Sequence, residues 1–358
     1  RRLRPRRHRV GGSIDRTHAH VVLRRTFELL EGDVGAVHVR LPGQALQGLA
    51  LYGGVSVHIF FALSGFLITQ RLLDEHRRTG GISLRAFYIR RVFRILPAAL
   101  TYLAFLSILG FGFKLIPLTV GQIVAGACFY RNYWVEPADV SWYTGHYWSL
   151  SVEEHFYLIW PGLLALMGIR RGRWMTPLLA VLFAVWRGLD MHYGWLASIN
   201  PGWRNLVGRT DYRMDGLFWG CAMAFLWDWA PAREWLRTRG RAEWAIPAWI
   251  AIVLCLYFEP PGYLALFAFL LPIPLVFTTA RPDGRFGRFF EGRFISWFGR
   301  LSYSVYIWQM LFLPAYGIPI SLGWLQWAPL NLFMAVGCAC ASYYFIEKPF
   351  RRIGVRLA

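Results

Sequence analysis

Three arginines, Arg90, Arg91 and Arg94, stand just ahead of an apolar run that begins near residue 95. Arg91 and Arg94 are three apart, so on a helix they share one face. A guanidinium is planar and can meet two phosphate oxygens at once, which suits such a pair to a phosphorylated ligand. The plainer reading is a basic anchor at the cytoplasmic edge of a span, and the residue types fit both. Pro97 follows within the same turn and is placed to kink the helix and open a mouth.

A second group falls at 146–154, where His146, Trp148, Ser149, Glu153 and Glu154 crowd the start of another apolar run. Carboxylates there are costly in a membrane, and their default reading is functional. A reaction that removes a proton needs an acceptor, so His146 or either carboxylate is a candidate base, with imidazole best matched to neutral pH. The structural alternative makes Ser151-Val-Glu-Glu154 a capping box, with Glu154 closing a helix start. Ser64 and Gly65 read as small residues that let helices approach, or let a substrate reach the backbone. A serine nucleophile is disfavoured, because Gly-x-Ser-x-Gly is absent. His58 shares roughly one face with Gly65 and is either a second base candidate or a pairing histidine. Arg213 and Asp215, two apart, do not face each other and should pair with other helices. Arg187, alone in its apolar run, requires a partner or a water-filled cavity.

The elements carrying these residues are those of a membrane protein. Of 358 residues, 56% are hydrophobic, 17% aromatic and only 16% charged, well below the charged quarter of a soluble domain. Apolar runs long enough for helices of about 20 residues occur near 51–69, 95–113, 148–167, 176–192, 214–230, 244–258, 263–279, 301–319 and 325–345. The expected fold is therefore an all-α polytopic helical bundle in a lipid bilayer. The stretch 115–134, with Gln122, Arg131 and Asn132, reads as a re-entrant or surface segment. The net charge of +19 does not indicate nucleic acid, because the basic residues punctuate the spans and build no single surface. With loop 70–94 inside, the inward loops carry 23 basic residues and the outward ones 5. That bias predicts a cytoplasmic C-terminus, with 353–358 as a short tail. The five cysteines show no metal-type spacing and read as small core residues.

Nine spans and an inward C-terminus would leave residues 1–50 outside, yet that segment holds ten arginines against four acids. One more helix before residue 51 would make ten spans and bring the N-terminus in. Residues 1–25, which begin without methionine, read either as an atypical tail or, the favoured expectation, as the product of a reading-frame error. The domain itself is expected over 51–352.

Four stretches resemble the acyltransferase-3 family of bacterial envelope enzymes. Residues 53–69, GGVSVHIFFALSGFLIT, resemble its glycine-rich entry and Phe-Phe-x-x-Ser-Gly-Phe-Leu signature; 87–97, FYIRRVFRILP, are similar to its Arg-Arg-x-x-Arg segment. Residues 146–161 resemble its Trp-Ser-Leu-x-x-Glu-Glu motif, with His155 where glutamine is usual. Phe298–Trp308 and Glu347–Arg351 match its closing pattern. The resemblance implies an inner-membrane enzyme moving an acyl group, in the first place acetyl, from coenzyme A to a hydroxyl of an envelope carbohydrate or glycolipid. It implies no bound cofactor and no metal. It would place donor binding at Arg90, Arg91 and Arg94, a pocket at Ser64, Trp148 and Ser149, and chemistry at Glu153, Glu154 or His146. The family's catalytic histidine lies eleven residues after an arginine on its first helix. The nearest match here is Arg7 to His18, in a tail too basic for a membrane helix, so the role is not carried over. The alternatives are a secondary transporter, which ten helices with intramembrane charges would also suit, or an inactive remnant lacking the histidine helix.

Overall fold

The computed structural model describes residues 47–135, 142–200, 208–239, 245–258, 260, 262–280, 291–313 and 322–358. The arginine-rich tail, His18 included, lies outside them. Among the described residues the chain is all-α. In order come α1 (Gln47–Thr79), α2 (Leu84–Ser107), the short α3 (Val120–Ala127), α4 (Tyr147–Met167), α5 (Ile169–Tyr193), α6 (Trp195–Ile199) and α7 (Thr210–Asp228). Then follow α8 (Ala230–Thr238), α9 (Ala245–Phe258), α10 (Tyr263–Leu270), α11 (Pro272–Ala280), α12 (Arg293–Phe312), α13 (Leu330–Ser342) and α14 (Lys348–Leu357).

Among the described residues, three continuous helical stretches are long and apolar enough to cross a membrane, Val57–Thr79, Leu84–Gly112 and Leu330–Leu357. α4, α5, α7 and α12 are comparable in length but are not among these stretches. The expected span 263–279 is divided into α10 and α11, with Pro272 opening the second. The segment 115–134 contains only the eight-residue α3, held by a Thr119–Gln122 capping box and too short to cross.

Two boundaries move in a way that matters for the site. The stretch 70–94, expected as a loop, is almost wholly helical: α1 continues to Thr79, and Ser83 caps α2 by accepting from the Ala86 amide. Counting apolar residues ends a span at its first charge, whereas the backbone continues for as long as its hydrogen bonds do. The arginines of this stretch therefore project from rigid helices. Residues 353–358, expected as a tail, also fall largely within α14.

The bundle centres on α1 and α7, which lie side by side and parallel: His58 meets Arg213, Gln70 meets the Ala224 carbonyl and Arg77 meets Asp228. Their backbones touch. A Cβ on Gly65 would lie 1.9 Å from the Leu217 oxygen, and one on Gly220 would lie 2.1 Å from the Ala62 oxygen. Small residues allow this approach where lipid supplies no hydrophobic drive for helix association. α4 packs beside the pair through Phe156 and Trp160, whose indole donates to Thr69 at 2.9 Å. A second apolar core joins α2, α12 and α13 around Tyr102, Tyr147, Ile307 and Trp308.

Candidate active site

Helix α4 begins at Tyr147, a turn earlier than a capping box at Ser151 would require, and this corrects that alternative. Ser151 donates to the Tyr147 carbonyl within the helix, and Glu154 lies two turns in, too far to cap. Adjacent on α4, Glu153 and Glu154 point about 100° apart and meet different partners. Glu154 accepts from Arg91 Nη2 at 2.8 Å and Nε at 3.1 Å. The Arg91 guanidinium also lies 3.4 Å from the centre of the Tyr157 ring. Glu153, 2% exposed, accepts a hydrogen bond from Ser64 of α1.

Behind Glu153 lie the other expected pocket residues. Ser149 is hydrogen-bonded to the Tyr306 hydroxyl, which donates to the His146 carbonyl at 3.0 Å. Tyr306 stacks with Phe60, one helical turn before Ser64. Trp148 turns away, packing edge-on against Phe61 and lying 5.5 Å from the Arg213 guanidinium. His146 sits in the turn before α4, 4% exposed, among the rings of Tyr102, Tyr147 and Tyr306. Burial pushes its imidazole down to about 3, offset in part by the Ile307 backbone. Such a group stays neutral at physiological pH and is a weak proton acceptor.

The arginines of α2 line a cavity of about 240 Å³ at the end of the bundle where α1 finishes and α2 starts. Arg90, Arg91 and Arg94 meet Arg71 from α1 and Arg351 from α14 there, above Ile68, Leu72 and Phe87. α2 runs unbroken through Pro97, so the mouth is formed by the packing of three helices and not by a broken one. Motif reading missed Arg71, Arg351, Tyr157 and Tyr306. Arg351 closes a motif noted above, but nothing in the sequence says that its helix folds back onto α2.

The remaining polar residues pair across helices. Arg187 of α5 bridges Asp215 of α7 at 2.8 Å, and Arg213 reaches His58 at 2.6 Å. Arg209 joins Asp190 at 2.9 Å and Asp211 at 2.5 Å. His155 and Asn132 both meet Thr210.

A family model described as an acyltransferase domain matches residues 25–347. The chain belongs to the acyltransferase-3 family. Among curated proteins it is 28% identical to the peptidoglycan O-acetyltransferase OatA of Listeria monocytogenes, over 84% of this chain and 52% of that protein. It is 30% identical to the putative peptidoglycan O-acetyltransferase YrhL of Bacillus subtilis, over 85% and 51%. A putative O-acetyltransferase of Staphylococcus aureus is 28% identical over 90% and 56%. The chain thus spans about half the length of these relatives. No solved structure matches it. Membership of an acyltransferase family supports the enzyme reading over the transporter alternative. The matched region starts at residue 25.

Proposed function

We propose that this acyltransferase moves an acetyl group from the thioester of coenzyme A to a hydroxyl of a cell-wall carbohydrate polymer, working in the bacterial inner membrane. The carrying observation is that an arginine-lined cavity and a buried carboxylate occupy successive layers of one helical bundle. The donor's phosphates bind in the cavity, and its thioester arm extends past Arg91 and Tyr157 toward Glu153 and Ser64. Glu153 accepts the proton as the acceptor oxygen attacks the thioester carbonyl. The carbon–sulfur bond breaks, Glu153 returns the proton to the leaving sulfur, and coenzyme A departs as its thiol. Glu154 fixes Arg91 between the two layers. The charge bias of the loops puts the cavity on the cytoplasmic side, where coenzyme A is made. The acetyl group and the wall polymer follow from the names of the relatives.

The test uses purified protein in detergent or liposomes, supplied with acetyl-labelled acetyl-coenzyme A and a soluble peptidoglycan fragment. Alkali-labile label on the glycan, matched by released thiol, is the expected result, with Glu153→Gln reducing both at least a hundredfold. Absence of ester and thiol from the wild-type protein sinks the proposal. Full activity in Glu153→Gln moves the base elsewhere.

A further inference from the structure

Helix α8 follows α7 after a single residue, Trp229, and is built unlike the spanning helices. It is nine residues long, too short to cross a membrane, and Pro231 lies in its first turn, where a missing N–H costs nothing. At 100° per residue, Ala232, Trp235, Leu236 and the capping Arg239 fall within an arc of about 100°, with Glu234 on the far side. The Arg239 amide donates to the Trp235 carbonyl at 2.8 Å, so the last turn keeps that register. A short helix with one apolar face, a tryptophan and flanking arginines lies in the plane of a membrane interface. Residues 229–241 hold four arginines against one glutamate, in a loop that the charge bias puts inside.

Against that apolar face is a second cavity, of about 290 Å³, which the acyl-transfer reading does not use. Ala232, Trp235 and Leu236 of α8 form one wall, Met223 and Leu226 of α7 another, and α11 the third, through Val276 and its neighbours. Every lining side chain is aliphatic, aromatic or methionine. Leu236 and Val276 are buried against each other, whereas Trp235 is 44% exposed and Leu226 39%, so the cavity opens at the surface of the bundle. An apolar space of this kind suits neither ordered water nor an ion. It is also smaller than the roughly 300–1,000 Å³ that encloses a whole drug-sized ligand. It fits a length of hydrocarbon chain whose remainder lies outside.

The charges around it say what that chain belongs to. Arg239 is exposed, on the cavity's side of α8 and one turn beyond Trp235. The basic start of α5, with Arg170, Arg171 and Arg173, approaches the other end of α8, the Arg173 guanidinium lying 5.3 Å from the centre of the Trp229 ring. The acids at the inward ends of α7 and α8 are Asp228, paired with Arg77 at 2.6 Å, and Glu234 on the far side. We propose that this cavity binds an acyl chain of an anionic phospholipid of the cytoplasmic leaflet, with Arg239 against the phosphate. α8 is then the element that selects the lipid. This rests on the membrane orientation and not on the acyl-transfer reading.

The experiment supplies the purified full chain, in a neutral detergent, with phosphatidylglycerol or phosphatidylcholine bearing a photoactivatable group on one acyl chain. Adducts are located by peptide mass spectrometry, and the unfolding temperature is measured with the unlabelled lipids. Phosphatidylglycerol should label peptides of α7, α8 and α11 about fivefold more than phosphatidylcholine does, and should raise the unfolding temperature further. Arg239→Gln, at an exposed position, should cut that labelling to roughly a fifth, the worth of one arginine near an anionic surface. Arg239→Lys should keep most of it. Ala232→Phe fills the cavity and should abolish labelling there; if that variant does not fold, Arg239→Gln decides. Equal labelling of the wild type by the two lipids overturns the proposal, as does labelling confined to other helices. So does wild-type labelling in Arg239→Gln or in folded Ala232→Phe. Labelling that disappears when the protein is concentrated into a dimer would assign this face to a second copy of the chain and would also overturn it.

Discussion

Arginine is used in opposite ways at the two ends of α7. At its N-terminal end Arg187, Arg209 and Arg213 each meet a partner on another helix or in the same turn: Asp215, Asp190 with Asp211, and His58. At the other end, near Asp228 and the close of α1, five arginines, Arg71, Arg90, Arg91, Arg94 and Arg351, line a cavity that holds one carboxylate, Glu75. A buried charge is tolerable when paired and costly otherwise. The first end is therefore a set of clamps between helices. The second gathers five guanidiniums against one carboxylate, as expected of a place that receives an anion.

The sharpest way to break this contrast is to remove a partner at the paired end. Asp215→Ala strands the Arg187 guanidinium, 5% exposed, and should cost about 3–5 kcal/mol, read as a lower unfolding temperature in detergent and a smaller yield of folded protein. Arg94→Gln should instead leave the unfolding temperature unchanged or raise it, while impairing use of the donor. If Arg94→Gln destabilises as much as Asp215→Ala, the cavity arginines are structural and the contrast fails.

A ligand sharpens the same contrast. Adding coenzyme A at about a hundred times its dissociation constant should stabilise the wild type by about 2.7 kcal/mol by mass action. The gain should largely disappear in Arg94→Gln at the same concentration. Equal stabilisation of both proteins would mean that the donor binds elsewhere.

Arg91 stands between the two cases, paired with Glu154 yet lining the cavity. Glu154→Gln keeps the shape of the side chain but releases Arg91, so turnover should fall about tenfold at normal protein levels, with KM moving less than kcat. A change confined to KM would make Arg91 a phosphate ligand whose pairing with Glu154 is incidental.

Helix content, the small-residue contact at Gly65 and the need of Arg187 for a partner were legible because each follows from one local rule. Long apolar runs need helices, a glycine in a span permits close approach, and a lone buried charge needs an opposite one. The identity of each partner was not legible. Arg187 to Asp215 spans two helices, and Ser64 to Glu153 joins residues 89 apart. The capping-box alternative failed because Ser151 has two hydrogen-bonding options, and a helix already formed at Tyr147 selects the Tyr147 carbonyl. Arg351 was invisible as a cavity residue because its place depends on Gly354 fitting against Phe93, a contact between segments about 260 residues apart. His146 was favoured for its usual solution behaviour, which its cage of three tyrosines removes.

That cage gives the smallest expected effect on turnover, and it lies in neither arginine region. His146 precedes α4, and burial lowers its pKa from 6.5 to about 3. In the folded protein it is neutral down to that pH, while in the unfolded chain it takes up a proton as pH falls through 6.5. The unfolded state therefore binds more protons between these values, and stability falls as pH falls. The stabilising contribution is complete above pH 6.5 and is lost progressively toward pH 3. Between pH 7.5 and 5.0 the loss from this one group should be about 2 kcal/mol. His146→Phe keeps the backbone carbonyl that receives Tyr306 and removes the titrating ring. The variant should show a shallower decline of unfolding temperature from pH 7.5 to 5.0 than the wild type, and acyl transfer at pH 7.5 within about threefold of it, since a neutral, weakly basic imidazole contributes little as a proton acceptor. Loss of most turnover at pH 7.5 in a folded His146→Phe protein would restore His146 as the base and leave Glu153 as its neighbour.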